Sequence, residues 1–338
     1  MVMAAGLGTR LRPITDFLPK PMVPIANRPV LHHLLNLLAR HDIREVGINI
    51  HAFPDVIKSY FGDGSALGMS IHWSEEPELL GTAGGTKKLD DYWGGEPILI
   101  TSGDGLHDID VTALIGHHRR YGGIATLTVK PVPDPSAYGV LIVDRDTRVR
   151  GFEEKPERDE ASSDLANCGV YVVEPELLDR IPHGTPFDFG RDVWPSLVAS
   201  GAPVHAYTTM AYWNDVGGLD ELRNSILDAV TGRVRIEAAG SEIGPGVWAE
   251  EGCEIDPSAS IEGPVVLGRN VVIEAGAIVR GPAAIGSDSR VGKGAAIRSA
   301  ALLPGSVVPD DGMAIAGIFG DASKLAESIL RYPAVQDS

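Results

Sequence analysis

The chain has 338 residues, 43% of them apolar and 22% charged, so it is an ordinary globular protein long enough for about two domains at ~150 residues each. Its formal net charge is −17, from 29 basic and 46 acidic residues, with no basic tail or stripe, which excludes nucleic acid and anionic membrane as expected partners. No stretch approaches the ~18 consecutive apolar residues of a membrane helix, the N-terminus lacks a signal-peptide pattern, and Cys168 and Cys253 form no CxxC pair; a reducing, cytoplasmic setting is expected.

In chain order, the segment AAGLGTRLRPITDFLPKPMVPIANRPV (4–30) comes first. A short apolar strand runs into Gly6 and Gly8, then Thr9, Arg10 and Arg12. Glycines directly after a strand let backbone N–H groups approach phosphate oxygens, and Arg10 adds a guanidinium fork. The Walker A spacing is missing, and so is the dinucleotide fingerprint, because G-x-G is followed by Thr-Arg. Lys20 stands between two prolines. Leu31, Leu34, Leu35 and Leu38 recur at helical spacing, as do Val56, Ile57 and Tyr60. EVGINI (45–50), PILIT (97–101) and IATLTVK (124–130) read as strands. This alternation predicts a Rossmann-like α/β domain on a mostly parallel, mixed sheet covered on both faces. The histidine pairs at 32–33 and 117–118 fall in helical patterns, where polar packing explains them better than metal binding.

Near residue 235 the texture becomes Gly-, Ala- and Val-rich. Ile243, Ala249, Ile255, Ile261, Leu267, Ile273, Val279, Ile285, Val291, Ile297 and Leu303 follow one another at intervals of six. Four residues after each comes a small or β-branched series, from Val247 and Cys253 through to Ala301 and Val307. A hexapeptide period of this kind is the signature of a β-helix solenoid, with large side chains piled coil on coil. Gly244, Gly268, Gly286 and Gly292 follow the aliphatic positions and suggest corners that need permissive backbone. The pattern resembles the left-handed hexapeptide β-helices. DASKLAESILRY (321–332) reads as an amphipathic capping helix. The expected division is an α/β domain over 1–232, a left-handed β-helix over 233–318 and a C-terminal helix and tail over 319–338.

The G-x-G-T-R-x-R-P and P-K-P motifs of the first segment resemble the signature of the nucleotide-sugar pyrophosphorylases, which transfer nucleotidyl groups to sugar 1-phosphates. PKPMVPIANRPVLHH, YFGDG, SEEPELLGTAGG and SGDG are most similar to the mannose-1-phosphate guanylyltransferases. One departure is the first strand, which in that family usually begins several residues earlier. The resemblance implies a nucleotide site from Met3, Ala5, Gly6, Gly8, Thr9, Glu78, Gly81 and Gly103. It implies a sugar-phosphate site from Gly139, Glu154, Lys155 and Asn167. Asp104 and Asp215 would hold Mg²⁺, and Arg10 and Lys20 would neutralise the triphosphate. Taken singly, Lys20 or Lys155 would be a solvated lysine, Asp104 a strand-end cap and Asp215 a turn residue; only the family match joins them.

The implied reaction is GTP plus mannose 1-phosphate giving GDP-mannose and pyrophosphate. Thymidylyl, uridylyl or adenylyl transfer to glucose 1-phosphate is the alternative, and a non-catalytic sugar-nucleotide-binding subunit a further one. All ten histidines lie at or before His205, so the solenoid lacks the histidine that commonly serves as general base, and no acyl transfer is expected there. It is expected to serve assembly, as the contact of a homo-oligomer.

Overall fold

The computed structural model describes residues 1–237 and 239–334. Nine strands form the N-terminal sheet: β1 (Val2–Met3), β2 (Glu45–Ile50), β3 (Ser70–Glu75), β4 (Ile98–Ser102), β5 (Ala125–Pro131), β6 (Gly139–Val143), β7 (Val149–Glu154), β8 (Leu165–Val173) and β9 (Val204–Thr208). β3, β2, β1 and β4 lie side by side and parallel. β8 is antiparallel to β4, and branches to β5 on one partner and β6 on another. The sheet is therefore mixed, parallel in the half that follows the first segment and largely antiparallel beyond β4.

The three strands expected from apolar runs form within a residue or two of their predicted bounds. Helices α1 (Val30–Arg40) and α2 (Pro54–Phe61) bury the leucine, isoleucine and tyrosine stripes that predicted them. α3 (Gly81–Lys87), α4 (Val111–Tyr121), α5 (Trp194–Ala199) and α6 (Leu219–Val230) complete the layers. His32 and His33 are buried on α1. Desolvation holds the first down to about 3 and the second to about 4, and His33 Nε2 donates to the Ile25 carbonyl at 2.8 Å.

After α6 the chain enters a left-handed β-helix, three faces of short parallel strands paired coil to coil. Val265 pairs with Ala283, and Leu267 with Ile285, at the 18-residue interval of three hexapeptides. Leu267, Ile273, Val279, Ile285, Val291 and Ile297 stack inside as the period predicted.

The series slips at both ends. Ile243 is 53% exposed on a strand antiparallel to the first coil. Ile285 pairs with Leu302, not Leu303, because the coil from Ala283 is one residue short. Val307 is consequently 62% exposed, and Ser306 takes its inward place. The glycines at 268, 286 and 292 also serve a purpose other than the expected one. None has a positive φ; a Cβ on Gly268 would stand 2.5 Å from the Ser287 backbone nitrogen of the next coil. They are required by close stacking, while Gly244 faces open space.

The predicted C-terminal helix is shorter and placed differently. α7 (Leu325–Leu330) buries Leu325 and Ile329 in a cluster with Tyr60 and Phe61 of α2, against the catalytic domain. The same cluster takes in Ala284, Ala301 and Leu303 of the solenoid. Beside it Glu250, buried, receives both Arg28 guanidinium nitrogens, at 3.0 and 2.9 Å, and Arg269 at 3.4 Å. No helix among the described residues is long and apolar enough to cross a membrane.

Candidate active site

The parallel strands β1 and β4 deliver their carboxyl ends to one place, where α/β sheets hold ligands. Two adjoining clefts of about 240 and 210 Å³ open there, sharing Met3, Thr82, Ser102 and Asp188 on their walls.

The smaller cleft is lined by Ala5 and Gly6 after β1, and by Asn49, Glu76, Gly81 and Asp104. Gly8 has φ +63, and a Cβ there would meet the Lys20 Cβ at 2.8 Å, so the G-x-G turn packs directly on the P-K-P segment. Thr9 opens the short 3-10 turn that carries Arg10. Gly81 begins α3 at φ +71, against the Phe187 carbonyl.

Asn49 ties three elements together. Its Oδ1 accepts from the Ala4 N–H at 2.9 Å, and its Nδ2 donates to Glu76 Oε1 at 2.7 Å. Glu76 Oε2 accepts from the Leu80 N–H at 3.0 Å. Glu76 is thus a fixed, buried carboxylate on the cleft wall.

The larger cleft is lined by Arg10, Tyr138, Gly139, Glu154, Lys155, Asn167, Trp213 and Asp215, among others. A Cβ on Gly139 would meet Phe152 and Glu154, so the glycine keeps that wall open. Lys155 takes a left-handed φ of 51 and donates its N–H to the Tyr138 carbonyl at 3.0 Å. Such a backbone in a lysine costs about 1–3 kcal/mol. Asn167 holds the Tyr171 hydroxyl at 2.9 Å and accepts from the Gly169 N–H. Burial raises the Glu154 carboxyl above its ordinary range, against the pull of Lys155. Burial and then the Asp215 charge push the Tyr138 hydroxyl up to about 12.

The charged centre lies between the clefts. Lys20 Nζ is 2.7 Å from Asp104 Oδ2 and donates to the Asp215 carbonyl at 3.1 Å. Arg10 Nη2 is 3.9 Å from Asp215 Oδ2. Burial raises the Asp215 carboxyl; Lys20 and Arg10 oppose that shift and Asp104 adds to it. Residues 111 positions apart in sequence are thus electrostatic neighbours.

Of the expected residues, Gly8, Thr9, Lys20, Glu78 and Gly103 line neither cleft. Glu78 is exposed and does not line the cleft; the carboxylate facing it is Glu76, two positions earlier. Gly103 turns toward β1, where a Cβ would lie 2.7 Å from Val2, and its N–H donates to the Met3 carbonyl. Sequence reasoning also missed Thr82 and Asp188. Thr82 Oγ1 donates to Asp188 Oδ2 at 2.8 Å, and Asp188 Oδ1 accepts from the Gly190 and Arg191 N–H groups. Burial alone separates Glu76 from the other acids of SEEPE; nothing local marks Asp188.

A glycine-rich turn, two cations and two electrostatically coupled carboxylates are groups suited to an enzyme that handles phosphates. Residues 1–231 match the family model described as "Nucleotidyl transferase". A UTP–glucose-1-phosphate uridylyltransferase of Synechocystis sp. is 37% identical over 82% of this chain and 75% of its own length. A mannose-1-phosphate guanylyltransferase of Mycobacterium tuberculosis is 35% identical, over 82% and 76% respectively. A solved structure titled as a putative glucose-1-phosphate thymidylyltransferase from Bacillus anthracis shares the fold. Its TM-score is 0.62 at 21% identity, covering 70% of this chain and 96% of that one. The chain belongs to the nucleotidyl transferase family, as a nucleotide-sugar pyrophosphorylase.

Proposed function

We propose that the chain transfers a guanylyl group from GTP to mannose 1-phosphate. A phosphate oxygen of the sugar 1-phosphate attacks the α-phosphorus, the bond from that phosphorus to the β-phosphate bridge oxygen breaks, and pyrophosphate leaves with the electron pair. The task is to bring two anions together in line, by positioning and charge compensation. Lys155 neutralises the sugar phosphate at the larger cleft. Arg10 and Lys20 face the triphosphate between the clefts, and loss of one such group costs roughly 3 kcal/mol of transition-state stabilisation, about a hundredfold in rate. Glu154 and Asn167 accept from and donate to sugar hydroxyls.

Mg²⁺ suits the donor set: Asp104 and Asp215 are two hard carboxylates close enough to interact electrostatically, and this ion commonly takes one or two carboxylates plus waters and substrate phosphates. When bound it would supply charge compensation at the phosphates.

Glu76 carries the choice of base. Guanine presents two adjacent donors, N1–H and the exocyclic amine, which a fixed carboxylate accepts side by side. Uracil and thymine flank their single N–H with two carbonyl oxygens, and adenine has a bare N1; each sets lone pairs against the carboxylate. The second reading is uridylyl transfer to glucose 1-phosphate, favoured by the name of the Synechocystis relative.

A pyrophosphate-release assay over a matrix of nucleotides and sugar 1-phosphates, with and without Mg²⁺, tests these assignments. GTP with mannose 1-phosphate should be the best pair, and Glu76→Gln should move preference toward UTP or dTTP. A wild type that prefers UTP with glucose 1-phosphate ends the guanylyl assignment. Self-association through the solenoid is part of the same proposal, supported by exposed Ile278, Met313 and Ile315 on one of its faces. Light scattering at micromolar concentration should give a dimer or larger, and a monomer contradicts it.

A further inference from the structure

Resting on the metal assignment above, we propose that Lys20 is the built-in counter-ion of Asp104, a side-chain cation that the divalent ion must displace. Nucleotide and metal would then bind as one coupled event.

The ammonium of Lys20 lies at ion-pair distance, 2.7 Å, from Asp104 Oδ2, and its second acceptor is the main-chain oxygen of Asp215 at 3.1 Å. The other Asp104 oxygen accepts from Ser102 Oγ at 2.6 Å. Both oxygens of that carboxylate are thus engaged, and Arg10 stands 3.9 Å from the second carboxylate. The Lys20 side chain is only 9% exposed. Its stem is packed against Gly8, and Pro19 and Pro21 restrict its backbone.

An ammonium so enclosed cannot retire into solvent when another cation arrives. It needs a second anion within the cleft, and the triphosphate is the substrate group that brings one. Among the described residues no group of three or more His, Cys, Asp or Glu is gathered to hold a metal ion. The metal alone therefore faces two carboxylates, one already neutralised. With nucleotide present, Lys20 turns from carboxylate to phosphate and the metal takes the vacated oxygen. By linkage each ligand strengthens the other by the same factor, in the range of roughly 5- to 150-fold.

The test is Mn²⁺ binding to the full chain, read from the free-ion EPR signal, with and without a nonhydrolysable GTP analogue. Wild type should bind Mn²⁺ weakly alone and at least about fivefold more tightly with the analogue. Lys20→Met should bind Mn²⁺ alone at least about fivefold more tightly than wild type and lose most of the coupling, while Lys20→Arg, which keeps the charge, should resemble wild type. Lys20→Gln replaces the Met variant if thermal melting shows that variant unfolded, and is read in the same way. A neutral Lys20 variant, Met or Gln, that binds Mn²⁺ alone no better than wild type overturns the proposal. Asp104→Asn separates the two readings. If it removes Mn²⁺ binding while the neutral Lys20 variant leaves affinity unchanged, only the counter-ion role falls. If it leaves Mn²⁺ binding intact in every form, the metal assignment itself fails.

Discussion

Acidification should unfold this protein through its buried histidines. His32, His33 and His107 are held by desolvation at about 3, 4 and 4, against 6.5 for an accessible imidazole. A folded-state value below the unfolded one means that only the unfolded chain takes up the proton between pH 6.5 and about 4. The stabilisation from keeping each ring neutral is fully present above pH 6.5 and is lost as the pH falls toward 4. At pH 5 the unfolded chain gains about 2 kcal/mol per histidine, or about 6 kcal/mol for the three, a large part of the 5–15 kcal/mol available to a typical domain.

His33→Gln is the sharpest probe, because a glutamine amide nitrogen reaches the position from which Nε2 donates to Ile25. Urea unfolding at pH 7.5 and 5.0 should show the variant losing about 2 kcal/mol less than wild type over that interval, whatever its stability at pH 7.5. Equal losses in the two proteins would refute the assignment of His33 as a neutral, buried imidazole.

Glu250→Ala should cost about 1.5–3 kcal/mol in chemical denaturation, because it removes the buried carboxylate that receives Arg28 and Arg269 and weakens the link between the domains. Gly81→Ala should raise KM for the nucleotide and destabilise the fold by at least about 1 kcal/mol, since the position has φ +71 and a Cβ would collide with the Phe187 carbonyl; an unchanged KM and melting temperature would contradict this. In the solenoid, Ile285→Ala and Leu302→Ala should each cost about 2–5 kcal/mol, while Ile243→Ala stays within about 0.5 kcal/mol. Comparable losses at all three positions would remove the slip in the repeat.

The sequence alone determined those features that rest on local periodicity or on a contiguous motif. Strand runs at 45–50, 97–101 and 124–130 are legible because a buried strand must be apolar along its length. The hexapeptide count is legible because every coil makes the same demand of its inward positions. Gly8 and Lys20 are legible because the turn and the flanking prolines sit in one segment.

Tertiary structure decided the rest. The one-residue slip after Ala283 is invisible to a count, because Leu302 and Leu303 satisfy the hydrophobic requirement equally and only coil pairing chooses between them. Glu76 differs from Glu78 in nothing but its place beside Asn49, and that place depends on β1, β2 and β3 lying side by side. Asp104 and Asp215 approach each other only because the sheet and the turn after Trp213 bring together segments that share no local signal. Burial and charge at a point are sums over distant parts of the chain, and those sums exist only once it has folded.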